Sequence, residues 1–138
     1  MDEEADRRAI TALNDDFCHE LDRGTVAGLV ALFMPDAVYS REERVSSGQA
    51  EIRALFEART AGGPRTSRHL TSGLRIAFTG SDQAVGLSIC TVYTAAGMPP
   101  VSGTLPGAVA DFEDVYMRTE DGWRFARRHI RTIFQTGS

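Results

Sequence analysis

The chain has 138 residues, which is the size of one domain that can hold a hydrophobic core and a cavity. Its 42% hydrophobic and 25% charged residues are ordinary for a globular protein, and a net charge of −4 argues against nucleic acid or an anionic membrane as a partner. The fifteen basic residues are all arginine, which excludes Schiff-base catalysis by a lysine side chain and is typical of a GC-rich bacterial genome.

The sequence predicts no signal peptide. The segment from Met1 to Arg8 is charged rather than apolar, and no apolar run approaches the ~20 residues that a membrane-spanning helix needs. We therefore expect a cytoplasmic protein. Cys18 and Cys90 form no CxxC pair and lie in apolar patterns, which predicts buried free thiols.

The first part of the chain has helical periodicity. A first helix that ends near Gly24 is predicted by one apolar stripe at helical spacing: Ile10, Leu13, Phe17 and Leu21. Thr25 can cap a second, short helix that carries Phe33 and ends at Pro35. A short strand at 37–41 follows. A third helix then opens at Ser47 or Gly48 and ends by the "AGGP" segment.

The rest of the chain alternates as strands do. Four long strands are predicted, at 66–79, 83–95, 108–118 and 123–134. The segment Gly97–Gly107, "GMPPVSGTLPG", is too rich in proline and glycine to be anything but a loop. Helices followed by antiparallel strands indicate a single α+β domain over residues 1–138.

Asp22 and His69 are the first candidates for catalysis. A carboxylate at the end of a helix faces the negative end of the helix dipole, and a cationic partner would offset that cost. His69 is the candidate partner, because imidazole exchanges protons near neutral pH and a carboxylate on one ring nitrogen stabilises the imidazolium. Two other interpretations stay open: a solvated Asp22 or one paired with Arg23, and an exposed strand position for His69 beside Arg68.

The alternation of side chains in the long strand bears on His69. Leu74, Ile76 and Phe78 share one face, and in strict register His69 falls on the other. A β-bulge at Gly73 would shift the phase and bring the imidazole onto the apolar face.

Other residues are candidates for contact with a substrate. Arg118 ends a row of alternate residues and could hold an anion or a leaving group, although a surface arginine before a turn fits equally well. Tyr39 could donate a hydrogen bond to a carbonyl, or simply pack in the core. The remaining candidates are Phe17, Leu87, Phe112, Tyr116 and Arg128. Alternation alone does not decide which arginines of the last strand face inward.

Several motifs of known chemistry are absent from the sequence. There is no GxSxG elbow, no phosphate-binding loop and no GxGxxG, and three scattered histidines with two cysteines give no metal-ligand spacing. We therefore expect a reaction that uses no cofactor and no metal.

Four segments in order carry a resemblance to a known family: "ELDRGTVAGLVALFMPDAVYS", "GQAEIRALF", "RHLTSGLRI" and "DVYMRTEDGWRFARR". The chain resembles the SnoaL-like branch of the nuclear transport factor 2-like superfamily. The resemblance covers nearly the whole chain. It implies a cone-shaped α+β barrel, in which a curved antiparallel sheet wraps around helices and one pocket opens at the wide end, and it implies a homodimer or homotrimer.

Within that branch the chain is most similar to the scytalone dehydratase and hexachlorocyclohexane dehydrochlorinase type. The resemblance implies an aspartate–histidine dyad at Asp22 and His69, an arginine of the dehydrochlorinases at Arg118 and a pocket tyrosine of the dehydratases at Tyr39. The strand "SICTVYT" lacks the second histidine of the dehydratases. Phe17 occupies the region where ketosteroid isomerases carry a tyrosine, so steroid isomerisation of that kind is not expected.

Two functions follow as hypotheses. The first is a cofactor-independent lyase or isomerase that acts on a small apolar or polycyclic molecule, by elimination of water or halide or by a polyketide-type cyclisation, with His69 as the base. The second is a non-catalytic ligand-binding or dimerisation domain of the same fold, which predicts no hydrogen bond between Asp22 and His69.

Overall fold

The computed structural model describes residues 2–102 and 106–136, which form three helices and six strands. In chain order these are α1 (Glu3–Arg23), α2 (Val26–Val30), β1 (Phe33–Arg41), β2 (Arg44–Ser47), α3 (Gly48–Thr60), β3 (Arg65–Phe78), β4 (Gln83–Ala96), β5 (Ala108–Thr119) and β6 (Gly122–Gln135). The predicted loop between β4 and β5 is confirmed, except that residues 103–105 lie outside the described residues.

Helix α1 is the long helix that the apolar stripe predicts. Asp2 caps it by accepting a hydrogen bond from the backbone N–H of Ala5 at 3.0 Å, and three acidic residues in the first turn suit the positive end of the dipole. Ile10, Leu13 and Phe17 of the stripe are buried against the sheet. No helix in the described part of the chain is long and apolar enough to cross a membrane.

One curved sheet holds all six strands, in the order β2-β1-β6-β5-β4-β3. Neighbouring strands are antiparallel except β1 and β6, which run parallel. The sheet is thus mixed, and not purely antiparallel as the resemblance implies. Helices α1 and α3 pack on its concave face, with α1 against β3 and α3 against β1.

The region around Pro35 differs from the sequence prediction. Helix α2 ends at Val30, and Phe33 and Pro35 belong to β1 instead of to the helix. Hydrogen bonding to β6 explains the difference, because the Leu32 carbonyl accepts from the N–H of Phe125 at 2.9 Å. Pro35 has no N–H to donate and falls in the stretch where the register of β1 against β6 shifts. The short strand β2, at the edge of the sheet, is not predicted from the sequence.

A buried ion pair lies at the centre of the concave face. Arg128 has no exposed surface, and its Nε and Nη2 atoms donate to the two Asp114 oxygens at 2.8 Å each. The Asp114 carboxylate also accepts from the Tyr116 hydroxyl at 2.7 Å, and Asn14 of α1 contacts both Tyr116 and Arg128. Burial disfavours the guanidinium charge, but the Asp114 carboxylate outweighs it and raises the pKa of Arg128. Three aromatic rings complete the enclosure, with centroids 4.2–4.5 Å from the guanidinium carbon: Phe17, Phe112 and Phe125.

Glycine is required at one position of β4 beside this pair. A Cβ atom at Gly86 would lie 2.7 Å from the Tyr116 ring, so the bare backbone makes room for the tyrosine that bonds Asp114.

Removing the negative charge of the pair should destabilise the fold strongly. We expect Asp114→Asn to lower the free energy of unfolding by about 3–5 kcal/mol, because Arg128 would be left as an uncompensated buried charge. Urea denaturation measures the loss. The matched control is Glu113→Gln, one residue away on the outer face, whose carboxylate is 3.7 Å from exposed Arg131. That change should stay within about 0.5 kcal/mol, and equal effects of the two substitutions would contradict the prediction.

Candidate active site

A cavity of about 450 Å³ opens between the sheet and the C-terminal ends of α1 and α3. Apolar and aromatic side chains form most of its wall, among them Phe17, Leu21, Phe56, Phe112 and Ile130. Its polar residues are His69, Tyr39, Ser46, Thr132 and three arginines. A concave apolar site with a few convergent polar groups is the usual form of a small-molecule site.

The Asp22 carboxylate and the His69 imidazole are in direct contact. His69 Nδ1 lies 2.6 Å from Asp22 Oδ1, and the backbone N–H of His69 donates to Oδ2 at 2.7 Å. Ser67, two residues earlier on β3, donates its hydroxyl to Oδ1 at 2.8 Å. The side chains of His69 and Asp22 are only 9% and 6% exposed. These donors stabilise a carboxylate at the negative end of a helix, where it would otherwise be unfavourable.

A bulge in β3 turns His69 inward. Gly73 has a φ of +66°, and the register of β3 against β4 shifts between Ser72 and Arg75. Inward side chains before the bulge are Ser67, His69 and Thr71, and those after it are Leu74, Ile76 and Phe78. The sequence permits a phase shift at Gly73, and the structure has one. Without it, His69 and the apolar residues of β3 would point to opposite faces of the sheet.

The contact fixes the proton on His69. A carboxylate only accepts hydrogen bonds, so the ring proton lies on Nδ1 and the lone pair on Nε2. Burial lowers the pKa of His69 below its ordinary value of 6.5, and the opposing effect of the Asp22 carboxylate does not fully cancel it. The ring is therefore neutral at pH 7, with Nε2 available as a base.

Tyr39, Phe17 and Phe112 lie in the wall of the cavity, as expected of substrate-binding residues. Burial raises the pKa of Tyr39, so its phenol stays protonated and can act as a hydrogen-bond donor. The Phe17 ring packs against Tyr39 and Phe112, with centroids 6.4 Å and 6.0 Å away.

Arg118 lies at the wrong end of the cone to serve this cavity. Its guanidinium donates two hydrogen bonds to Asp6, at 2.9 Å and 2.7 Å, and stacks 4.8 Å from the Trp123 ring. Asp6 is in the first turn of α1 and Asp22 in its last, about 24 Å apart at 1.5 Å per residue. The expectation that Arg118 contacts a ligand beside His69 is therefore wrong. Alternate residues of a strand lie on one face of the sheet, but they lie at different distances from the cavity along that strand.

Three other expected contacts with a substrate are also corrected. Leu87 is 54% exposed on the outer face of β4, because strand alternation turns it away from the cavity. Tyr116 and Arg128 do face inward but are fully buried in the Asp114 network, beneath the cavity rather than in its wall. They support the site without lining it.

Sequence reasoning missed the arginines that do line the cavity: Arg41, Arg44 and Arg59. Two had a signal. Arg59 follows Leu55 and Phe56 of α3 at helical spacing, so it belongs to the same face, and Arg41 follows Tyr39 by two on β1. Arg44 had none, because β2 was not predicted.

The described residues contain no group of three or more His, Cys, Asp or Glu side chains that could hold a metal. Cys90 is buried and Cys18 half-buried, and both thiols are free. Burial raises the pKa of Cys18 to about 11 and that of Cys90 to about 12, so neither thiol forms a nucleophilic thiolate at neutral pH.

Asp22→Asn should lower the pKa of His69 further, because the hydrogen bond and charge of Asp22 are what hold it up against burial. NMR titration of the imidazole measures the shift. The matched control is Asp16→Asn, on the exposed side of the same helix, which should leave the titration unchanged. An unchanged or higher His69 pKa in Asp22→Asn would contradict the assignment of the contact.

Comparison with known proteins agrees with this architecture. A SnoaL-like domain family matches residues 2–129. A proposed scytalone dehydratase from Novosphingobium aromaticivorans DSM 12444 superposes with a TM-score of 0.86 at 22% identity, over 99% of this chain and 89% of that one. For LinA the TM-score is 0.82 at 21% identity, over 99% and 91% of the two chains.

An NTF2-like protein with a cystatin-like fold, also from Novosphingobium aromaticivorans, gives a TM-score of 0.78 at 26% identity, over 97% and 84%. No curated protein sequence matches the chain significantly. The family match covers nearly all of the chain, and the fold expected from the resemblance is confirmed. The chain belongs to the family of SnoaL-like domains.

Proposed function

We propose that the protein is a cofactor-independent lyase or isomerase in which His69 is the general base. The observation that carries the proposal is the 2.6 Å contact between His69 Nδ1 and Asp22 at the wall of a largely apolar cavity. Proton transfer by a positioned histidine contributes about 10²–10⁴-fold to a rate. The substrate is a small, mainly apolar or polycyclic molecule, since the cavity holds about 450 Å³ and most of its wall is hydrocarbon.

The dyad works by dividing two tasks between its members. Nε2 of His69 removes a proton from a carbon or a hydroxyl of the substrate. Asp22 keeps the ring in the tautomer that leaves Nε2 unprotonated, and its charge stabilises the imidazolium once the proton has moved. Because burial lowers the pKa of His69, the base is already neutral at pH 7, and activity should fall only as the pH drops below that lowered pKa.

The negative charge that develops on the substrate needs a partner. Arg118 does not line the cavity, so we assign the role to the three arginines that do, Arg41, Arg44 and Arg59. Tyr39 can donate its phenolic proton to a carbonyl or hydroxyl of the substrate.

Elimination of water or of halide is the most concrete form of this chemistry, and the proposed assignment of one structural relative as a scytalone dehydratase points the same way. A polyketide-type cyclisation would use the same base. A non-catalytic binding domain, the alternative function, predicts no Asp22–His69 hydrogen bond, so the observed contact favours the enzyme.

Deuterium exchange tests the proposal without knowledge of the substrate. The protein is incubated in D₂O, without added cofactor or metal, with cyclic ketones, β-hydroxy ketones and hydroxyaryl ketones that carry an acidic C–H. NMR then follows deuterium uptake and loss of water. We expect His69→Ala to slow catalysed exchange about 10²–10⁴-fold.

The matched control is His19→Ala, which removes an exposed histidine from α1 and should leave the rate unchanged. Thermal unfolding checks that both variants fold. Equal rates for His69→Ala and the wild type would remove His69 from the mechanism.

Self-association, implied by the resemblance as a homodimer or homotrimer, stays a prediction. The outer face of the sheet exposes neighbouring apolar side chains on β3 and β4: Leu70, Val85, Leu87 and Ile89. We infer that a second copy of the chain covers this face.

Leu87→Glu should then shift the light-scattering mass to that of one chain, because it places a charge in the apolar contact. Ala12→Glu adds the same charge to the exposed side of α1 and should have no effect. A single-chain mass for the wild type, or an unchanged mass in Leu87→Glu, would contradict the inference.

A further inference from the structure

Three arginines converge on the cavity from three different elements. Arg41 ends β1, Arg44 opens β2 and Arg59 lies in the last turn of α3. No aspartate or glutamate is among the described residues that line the same cavity. The polar side of the cavity is therefore strongly cationic.

None of these guanidinium groups forms an ion pair with a described carboxylate. Within residues 2–102 and 106–136, no carboxylate lies within 4.0 Å of any of the three. Arg118, Arg128 and Arg131 differ in this respect, since each pairs with an acidic side chain. The polar side-chain contact of Arg59 is with the Ser67 hydroxyl, at 3.3 Å.

Two acidic residues close to the arginines hydrogen-bond to other groups. Glu42, between Arg41 and Arg44 in the sequence, accepts a hydrogen bond from the backbone N–H of Thr132 at 2.9 Å. The Asp22 carboxylate is engaged by His69 and Ser67. Because His69 is neutral at pH 7, the described residues that line the cavity carry three positive charges and no negative one.

Arg59 shows that a cation in this cavity wall is electrostatically unfavourable. It is half-buried, and burial, together with the nearby charge of Arg65, lowers its pKa. An anion bound beside it would relieve that cost, and a carboxylate matches the planar fork of a guanidinium with two parallel hydrogen bonds.

The apolar part of the cavity wall selects the rest of the ligand. Phe17, Leu21, Val92 and Ile130 offer it no hydrogen-bonding groups from their side chains. The ligand should therefore carry its charge at one end and an aromatic or alicyclic body at the other.

We propose that the substrate is a carboxylate on an aromatic or alicyclic body, with the carboxylate bound by Arg59 and Arg41 and the ring system packed against the apolar wall beside His69. This inference deepens the proposed function and rests on it, because the ligand is a substrate only if the protein is the proposed enzyme. As a statement about binding, it can be tested separately from proton transfer.

Matched acid and amide ligands test the proposal by calorimetry. The probes are 2-naphthoate and 2-naphthamide, which share a ring system and differ in charge. We expect the wild type to bind the acid at least about tenfold more tightly than the amide. Arg59→Gln and Arg41→Gln should each remove most of that preference with little effect on the amide.

Arg131→Gln, on the outer face of β6 and paired with Glu113, is the control and should keep the preference. Raising the salt concentration should weaken binding of the acid and leave the amide unaffected. Thermal unfolding confirms that each variant is folded. Equal binding of acid and amide, no binding of either, or a preference that survives both cavity substitutions would overturn the proposal.

His69→Ala separates this inference from the proposed function. The variant should lose exchange activity but retain the preference for the acid, because the arginines remain in place. Loss of the preference together with the activity would show that His69, and not the arginines, reads the charge, and would overturn the carboxylate assignment. If the wild type catalyses exchange but shows no preference for the acid, the carboxylate assignment is overturned and the proposed base chemistry is not.

Discussion

The buried pair of Arg128 and Asp114 is the constraint on which the interior of the cone depends. A full charge with no exposed surface is tolerable only with an opposite charge against it, and the pair takes its place at the middle of the concave face. Two rings stacked on the guanidinium, Phe17 and Phe112, also belong to the wall of the cavity. The buried network thus lies directly behind the cavity wall, and two aromatic residues of that wall pack on it.

Helix α1 links the buried pair to the catalytic candidates, because it bonds to the pair through one residue and carries Asp22 near its end. Asn14 ties the helix to Tyr116 and Arg128, and Asp22 follows it by eight residues, about 12 Å further along the axis. The bulge at Gly73 brings His69 to meet it from β3. Two independent features, a polar anchor on a helix and a phase shift in a strand, therefore define where the carboxylate and the imidazole come together.

Sequence reasoning reached the parts of the molecule that depend on local pattern. Helical spacing predicted α1 and alternation predicted the long strands, while the glycine at position 73 permitted, without requiring, the phase shift that turns His69 inward. Sequence reasoning failed where the position of a residue along its strand decides whether the side chain reaches the cavity. Arg118 shares a face with Phe112 but lies about 20 Å further along β5, at roughly 3.3 Å per residue, and pairing between distant strands sets that position. Strand β2 was missed because its pairing with β1, rather than any hydrophobic alternation, defines it.

The short hairpin of β1 and β2 has a consequence for how the family can diversify. Strand β2 is the edge of the sheet, bonds to β1 alone, and leaves Val45 58% exposed beside the cavity. Replacing residues in such a rim creates no void in the core and leaves the Arg128–Asp114 network and the Asp22–His69 contact untouched. Substitutions at this edge can therefore change ligand preference while the interior of the cone is kept, which is a physical route by which one fold comes to serve many functions.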